Sequence, residues 1–181
     1  DWDAKAIELN SNSFDLIWNG MTASDELAKV IDLSVPYAKN AQVLILAKDT
    51  PVPALDAVKN LSIAVEKDSA GNTDAADEIG VTTLNEVASQ MAALLEVVSG
   101  ASQGAIIDVT MADSVIGKNQ FADLKVAEGI SYGDEVFSVG LRKGSNLTEK
   151  LNAFLKAKYA DGTMTALLAK YQVSINVDAL K

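Results

Sequence analysis

The chain has 181 residues, 49% of them apolar, and a formal charge of −10, with no cysteine and no histidine. That charge repels a phosphate backbone, which argues against nucleic acid and an anionic membrane surface as partners. The missing side chains remove thiol nucleophiles, thiolate metal sites, Ser-His-Asp triads and imidazole acid–base chemistry, so no catalytic residue, metal ligand or cofactor is assigned.

Residues 4–10, AKAIELN, read as a short helix with Ala6, Ile7 and Leu9 on an apolar side, and FDLIWNG (14–20) reads as a buried strand ending in a turn. Thr22 or Ser24 can cap the next helix, and Asp25 and Glu26 suit the positive end of its dipole. That helix stops at SVPY, where Pro36 bars helix and pushes Val35 toward an extended conformation. AQVLILA (41–47) is a buried strand, too short to span a bilayer, followed by a proline-marked loop and a short helix.

LSIAVEK (61–67) is the next strand, and DSAGNTDAADEIG a turn and short helix. In TTLNEVASQMAALLEVVSG, Leu84, Val87, Met91, Leu94 and Val98 keep one helical face, ended by Gly100. GAIIDVTMADSV is expected to be a buried strand reaching Asp113, and EVFSVGLRKG (135–144) the last strand. Beyond it, Leu147, Leu151, Phe154 and Leu155 form a stripe; DGT (161–163) breaks it. Thr163 then caps a final helix with Met164, Leu167, Leu168 and Tyr171 inward.

Strands alternate with helices throughout, so the expected class is α/β with a mainly parallel sheet in each lobe. Extended segments near 41–47 and 135–141 bracket the middle block, a pattern of one lobe inserted into another through two crossing strands. The expected domains are a discontinuous first lobe, 1–44 and 140–181, and a second lobe, 45–139.

Several polar residues carry two readings. Thr22 and Ser24 are helix caps or ligand donors. KDSAG (67–71) is a surface turn or an anion-binding set of backbone N–H groups. Asp113 caps the helix SVIG or projects from the C-terminal end of a strand, where open α/β sheets hold their ligands. Trp2 and Trp18 read as packing residues, and Asp108, inside a buried strand, needs a partner.

The first 46 residues, with WNGMTASDE and LSVPY, resemble the first lobe of the bacterial solute-binding proteins that feed polar amino acids to ABC importers, with its G-M-T-x-T-x-E-R and F-S-x-P-Y motifs. VFSVGLRKGSN…DGT…KY resembles that family's YGIAVRKGD…DGT…KW tail, and LSIAVEKDSAG and GAIIDVTMADSV resemble its middle segments. The resemblance implies a two-lobe periplasmic-binding-protein-like fold (type II), each lobe a sheet flanked by helices. It implies an extracytoplasmic location, periplasmic or as a membrane-anchored lipoprotein, and binding rather than catalysis, although some dehydratases share the fold. It also implies two partners: a small polar solute such as an amino acid, and an ABC importer permease.

The same resemblance assigns ligand-binding residues. Trp2 matches an aromatic ring that packs on the ligand. Backbone at Asn19 and Gly20, with the Thr22 hydroxyl, receives the ligand's ammonium and carboxylate. Ser69 and Ala70 add donors to the carboxylate, and Asp113 pairs with the α-ammonium. Two departures stand against it. Leu27 occupies the place of the family's carboxylate-gripping arginine, and the only arginine, Arg142, lies elsewhere. The family's opening strand, helix and strand are absent ahead of the tryptophan segment, so the first lobe is expected to be incomplete at its N-terminus, with a homo-oligomer through that lobe or a shortened chain as the outcome. The alternative function is a degenerate or receptor-type module of the same fold, working through protein contacts.

Overall fold

A computed structural model describes residues 2–181, apart from the side chain of Val177. The chain divides into two compact units, residues 1–40 with 134–181, and residues 41–133. The chain passes from one unit to the other inside two strands, β3 (Ala38–Ala47) and β7 (Leu124–Phe137). These crossings lie a few residues before the expected boundaries at 44/45 and 139/140.

The first unit is built on a three-stranded sheet with β8 (Gly140–Leu141) between β1 (Leu16–Ile17) and β2 (Asp32–Leu33). Both pairings are antiparallel, with Ile17 and Leu33 opposite Gly140. The expected parallel sheet is therefore corrected here. Helix α2 (Asp25–Val30) does connect two like-directed strands, but β8, arriving from β7, lies between them and runs the other way. Leu9 of α1 (Lys5–Asn10), Ile17, Met21 and Ile31 form the core, with Trp2, Ala6, Phe14, Leu27 and Leu33 packed against it.

Gly140 sits in the middle of that core. A Cβ there would meet Ile31 Cδ1 at 2.9 Å, Met21 Cε at 3.0 Å and Ile17 Cδ1 at 3.3 Å. Gly140→Ala should therefore overpack the sheet and cost about 1–3 kcal/mol. A urea midpoint equal to that of the wild type would refute this packing.

A second cluster of the first unit joins Leu155 of α6 (Leu147–Ala160), Met164 of α7 (Thr163–Lys170) and Leu180 of α8 (Val177–Leu180), with Val35, Tyr37 and Leu168 against it. Of the expected stripes, Leu147, Phe154, Leu167 and Tyr171 are exposed instead. Gly162, in the left-handed region at φ 79°, stands at the N-cap of α7 in place of Thr163. Between α6 and α7, hydrogen bonds from Lys158 and Thr163 hold the Asp161 carboxyl at about 2, below its usual 3.8. A group lowered on folding stabilises above its unfolded value and loses that contribution as pH falls through the folded one. An NMR titration should find Asp161 still ionised at pH 3, and Lys158→Ala should return it toward 3.8.

The second unit carries a five-stranded sheet in the order β5-β4-β6-β3-β7, where β4 is Ser62–Glu66, β5 is Thr83–Val87 and β6 is Gly104–Asp108. β4 runs parallel to β5 and β6, whereas β3 and β6 are antiparallel. Side chains alternate across a strand. Val43 and Ile45 accordingly enter one core with Ala105, Ile107 and Leu94, while Leu44 and Leu46 enter another with Ile106, Ile63 and Val65. Burial on both faces explains the unbroken apolar run AQVLILA. Helix α4 (Gln90–Ser99) is capped by Ser89 and ended by Gly100 in the left-handed region. Leu84 and Val87 belong to β5 and not to this helix, whose buried residues are Ala93, Leu94 and Val97.

Two strand limits also differ from expectation. β6 stops at Asp108 and the chain turns into helix α5 (Val109–Val115), so Asp113 lies on a helix and not on a strand. β7 begins at Leu124, well ahead of the expected 135.

Candidate functional site

In the first unit the polar residues converge where the segment 21–23 pairs with 136–138. Thr22 bridges Phe137, Ala23 N–H donates to Val136 O at 2.9 Å, and Ser138 N–H donates to Met21 O at 3.1 Å. Gly20 leads into this pairing in a left-handed conformation that favours glycine. Its φ is 59°, and a Cβ on it would sit 3.5 Å from the Phe137 ring. The SVPY segment runs along the same chain: Ser34 N–H donates to Val139 O and Ser34 Oγ accepts from Val139 N–H, both at 2.9 Å, and Tyr37 N–H donates to Phe137 O at 3.0 Å.

The Thr22 hydroxyl does not cap α2. Ser24 does, its Oγ accepting from Leu27 N–H at 3.2 Å. Thr22 Oγ1 instead donates to Glu135 Oε2 at 3.1 Å, and Asn40 Nδ2 donates to the same oxygen at 2.6 Å. Glu135 is 9% exposed and Asn40 6%. A carboxylate held this far inside needs such charge-assisted partners.

Asn19 is exposed and Gly20 half-buried. Beside them Trp18 is 47% exposed and meets Tyr37 edge-on, with ring centroids 6.1 Å apart. Burial pushes the Tyr37 phenol above its ordinary value, and a hydrogen bond with Trp18 partly opposes this. Trp2 is half-buried and packs on the core of this unit, with the Lys5 ammonium 5.6 Å from its ring centroid. The exposed indole next to Asn19 and Gly20 is thus that of Trp18.

Leu27 packs against the Leu9, Ile17, Met21 and Ile31 core, so α2 turns this position inward as a hydrophobic residue. Arg142 is occupied as well: it donates to Phe14 O at 2.7 Å and Leu9 O at 3.4 Å, and pairs with Asp15 at 3.0 Å.

In the second unit, Ser69 caps the short helix α3 (Ala70–Thr73), accepting from Asn72 N–H at 3.2 Å. Asp68 reaches this turn with φ 58°, a left-handed conformation that aspartate tolerates better than most residues. Beneath the turn lies Gln42, 1% exposed, whose Oε1 is 2.7 Å from where a Gly71 Cβ would be. Gln42 and Asp108 are opposite residues of β3 and β6. Gln42 Nε2 donates to Asp108 Oδ1 at 2.7 Å, Gln90 Nε2 donates to Oδ2 at 2.6 Å, and Asp108 N–H donates to Gln90 Oε1 at 3.1 Å. These are the partners Asp108 requires. The network ties together the start of α4, the turn into α5 and the floor under Ala70 and Gly71. Asp113, on α5, is exposed, and Lys118 Nζ donates to its carbonyl at 3.0 Å.

Within the first unit the fold thus gathers Asn19, Gly20 and Thr22, and in the second it sets Ser69 and Ala70 at the start of α3 and Asp113 in the last turn of α5. The sequence reads Trp18 as a packing residue and leaves Glu135 and Gln42 without a role. Only Trp18 had a signal, its place directly before Asn19 and Gly20; Glu135 and Gln42 acquire partners through contacts remote in sequence.

A protein-family model described as bacterial extracellular solute-binding proteins, family 3, matches residues 1–174. The arginine-binding extracellular protein ArtP of Bacillus subtilis (strain 168) is 25% identical over 175 residues, which cover 94% of this chain and 68% of ArtP. The chain therefore spans about two thirds of that relative's length. Among solved structures, an ancestral arginine-binding protein bound to arginine superposes with a TM-score of 0.83 at 26% identity, covering 94% of this chain and 77% of that one. ArtJ of Geobacillus stearothermophilus, an arginine-, lysine-, histidine-binding protein, gives 0.86 at 25% identity, covering 99% and 79%.

Proposed function

Because the chain belongs to the bacterial extracellular solute-binding proteins, family 3, we propose that it captures an amino acid or similar small polar solute outside the cytoplasm for an ABC importer. It binds and releases its solute unchanged. The observation that carries this reading is the Gly20–Thr22 segment, whose left-handed glycine and pairing with Phe137 hold the Thr22 hydroxyl within a polar cluster beside an exposed indole. Small-molecule sites combine apolar and aromatic walls with a few precisely placed polar groups. Asn19, Gly20 and Thr22 serve the solute on the first unit, Ser69, Ala70 and Asp113 on the second. Asp113 pairs with an ammonium and Trp18 joins or replaces Trp2 as the aromatic wall.

The first probe is arginine, the solute named for the relatives. At about 100 times its dissociation constant a ligand stabilises by about 2.7 kcal/mol, roughly 5–10 °C for a chain of this size. Asp113→Ala should abolish that shift while leaving the ligand-free melt in place, as expected of an exposed carboxylate. No shift with any of the twenty amino acids would count against solute capture. It would favour the second reading, a receptor-type module acting through protein contacts, which the inward packing of Leu27 supports.

Delivery to a membrane permease is part of the proposal, and so is self-association through the first unit. β1, two residues long and with Leu16 37% exposed, is an edge of its sheet and offers backbone groups to a second copy. A monomer by light scattering across a wide concentration range would remove that element.

A further inference from the structure

Resting on the solute-binding reading, we propose that Glu135 is an internal competitor for the solute's carboxylate, and through this a specificity-determining residue. A threonine hydroxyl has one proton to give. Here Thr22 gives it to Glu135 Oε2 at 3.1 Å, and that oxygen also takes the Asn40 amide at 2.6 Å. Glu135 is 9% exposed, so it is held against these donors and not simply dangling in water.

Neither Leu27 nor Arg142 is a substitute donor. Leu27 is packed into the core, and the guanidinium of Arg142 is taken up by Phe14, Leu9 and Asp15. Asp25 and Glu26 in the first turn of α2 add negative charge. A solute carboxylate arriving at Thr22 must displace Glu135 or go without that hydrogen bond. A solute with the same cationic groups and no carboxylate meets neither obstacle. The first unit therefore discriminates weakly between a basic amino acid and its decarboxylated amine, and the solute class extends to amines and guanidines.

L-Arginine and agmatine, which differ by that carboxylate, separate the possibilities by calorimetric titration of the 181-residue chain. The wild type should bind the two within about fivefold of each other. Glu135→Ala should tighten arginine on the order of tenfold, the size of one charge-assisted hydrogen bond, and change agmatine by less than about threefold. Adding Thr22→Val to that variant should return the arginine-to-agmatine ratio to its wild-type value. If the alanine variant does not fold, Glu135→Gln, which keeps the shape without the charge, should shift the ratio in the same direction. A wild-type preference for arginine of a hundredfold or more overturns the proposal. So does a parallel loss of both ligands in a variant that still melts cooperatively. Absence of binding by either compound to any variant overturns this inference, and defeats solute capture as well only if none of the other nineteen amino acids shifts the melt; a ratio indifferent to Glu135 defeats this inference alone.

Discussion

Asp108→Ala is expected to destabilise the protein by about 2–4 kcal/mol, read as a lower urea midpoint with an unchanged slope. Asp108 receives Gln42 Nε2 at 2.7 Å and Gln90 Nε2 at 2.6 Å. Gln42 is 1% exposed, so truncation leaves its amide without this acceptor where water does not easily reach. A hydrogen bond to a charged group contributes about 1.5–3 kcal/mol, and the half-buried Gln90 adds about 1 kcal/mol. Asp108→Asn keeps one oxygen but turns an amide donor toward the other glutamine, so about half of the loss should remain. A wild-type midpoint for the alanine variant would mean that the network adds nothing. Because Gln42 also lies under Gly71, the same change should loosen the Ser69–Gly71 turn, visible as faster amide hydrogen exchange at Ala70 and Gly71.

Leu94→Ala should cost about 2–5 kcal/mol, the range for truncating a fully buried leucine. Leu94 is 0% exposed on α4, within the core that Ile45, Ile107 and Phe121 share. Its neighbour provides the control: Leu95 is 47% exposed, and Leu95→Ala should stay within about 0.5 kcal/mol. Equal losses at the two positions would mean that α4 is rotated relative to the arrangement described here.

That helix also illustrates what periodicity can and cannot do. Spacing of three and four picked out Met91, Leu94 and Val98, the large residues of TTLNEVASQMAALLEVVSG, yet Met91 and Val98 are 38% and 49% exposed. The inward face is Ala93, Leu94 and Val97. Alanine carries little apolar weight in a sequence pattern, but it is what lets a helix approach a sheet closely, and only the packed partner reveals that. The expected stripe of α6 is half met: Leu151 and Leu155 join the core, whereas Leu147 and Phe154 are exposed, because α6 is apolar on more than one side. In contrast, the run AQVLILA is legible, because a strand buried on both faces needs no phase.

The candidate site divides in the same way. The turn at Asn19–Gly20 and the cap at Ser24 are local, set by glycine freedom and by a hydroxyl that bonds backbone a few residues on. These were readable residue by residue. Glu135 reaches Thr22 and Asn40 across most of the chain, and Gln42 meets Asp108 as a cross-strand pair. Partnerships of that kind depend on strand order and register, and no spacing in the sequence encodes them.

By itself, then, the sequence determined the α/β class, the family, most strand and helix positions, and the exclusion of thiol and imidazole chemistry. Only the tertiary structure decided that β8 runs antiparallel between β1 and β2, that Leu27 faces a core, and that the Thr22 hydroxyl is already engaged by a carboxylate of its own chain. The physical reason is range. Conformational preference and burial pattern act over a few residues, whereas the partner of a buried polar group is fixed by whichever distant segment the fold lays beside it.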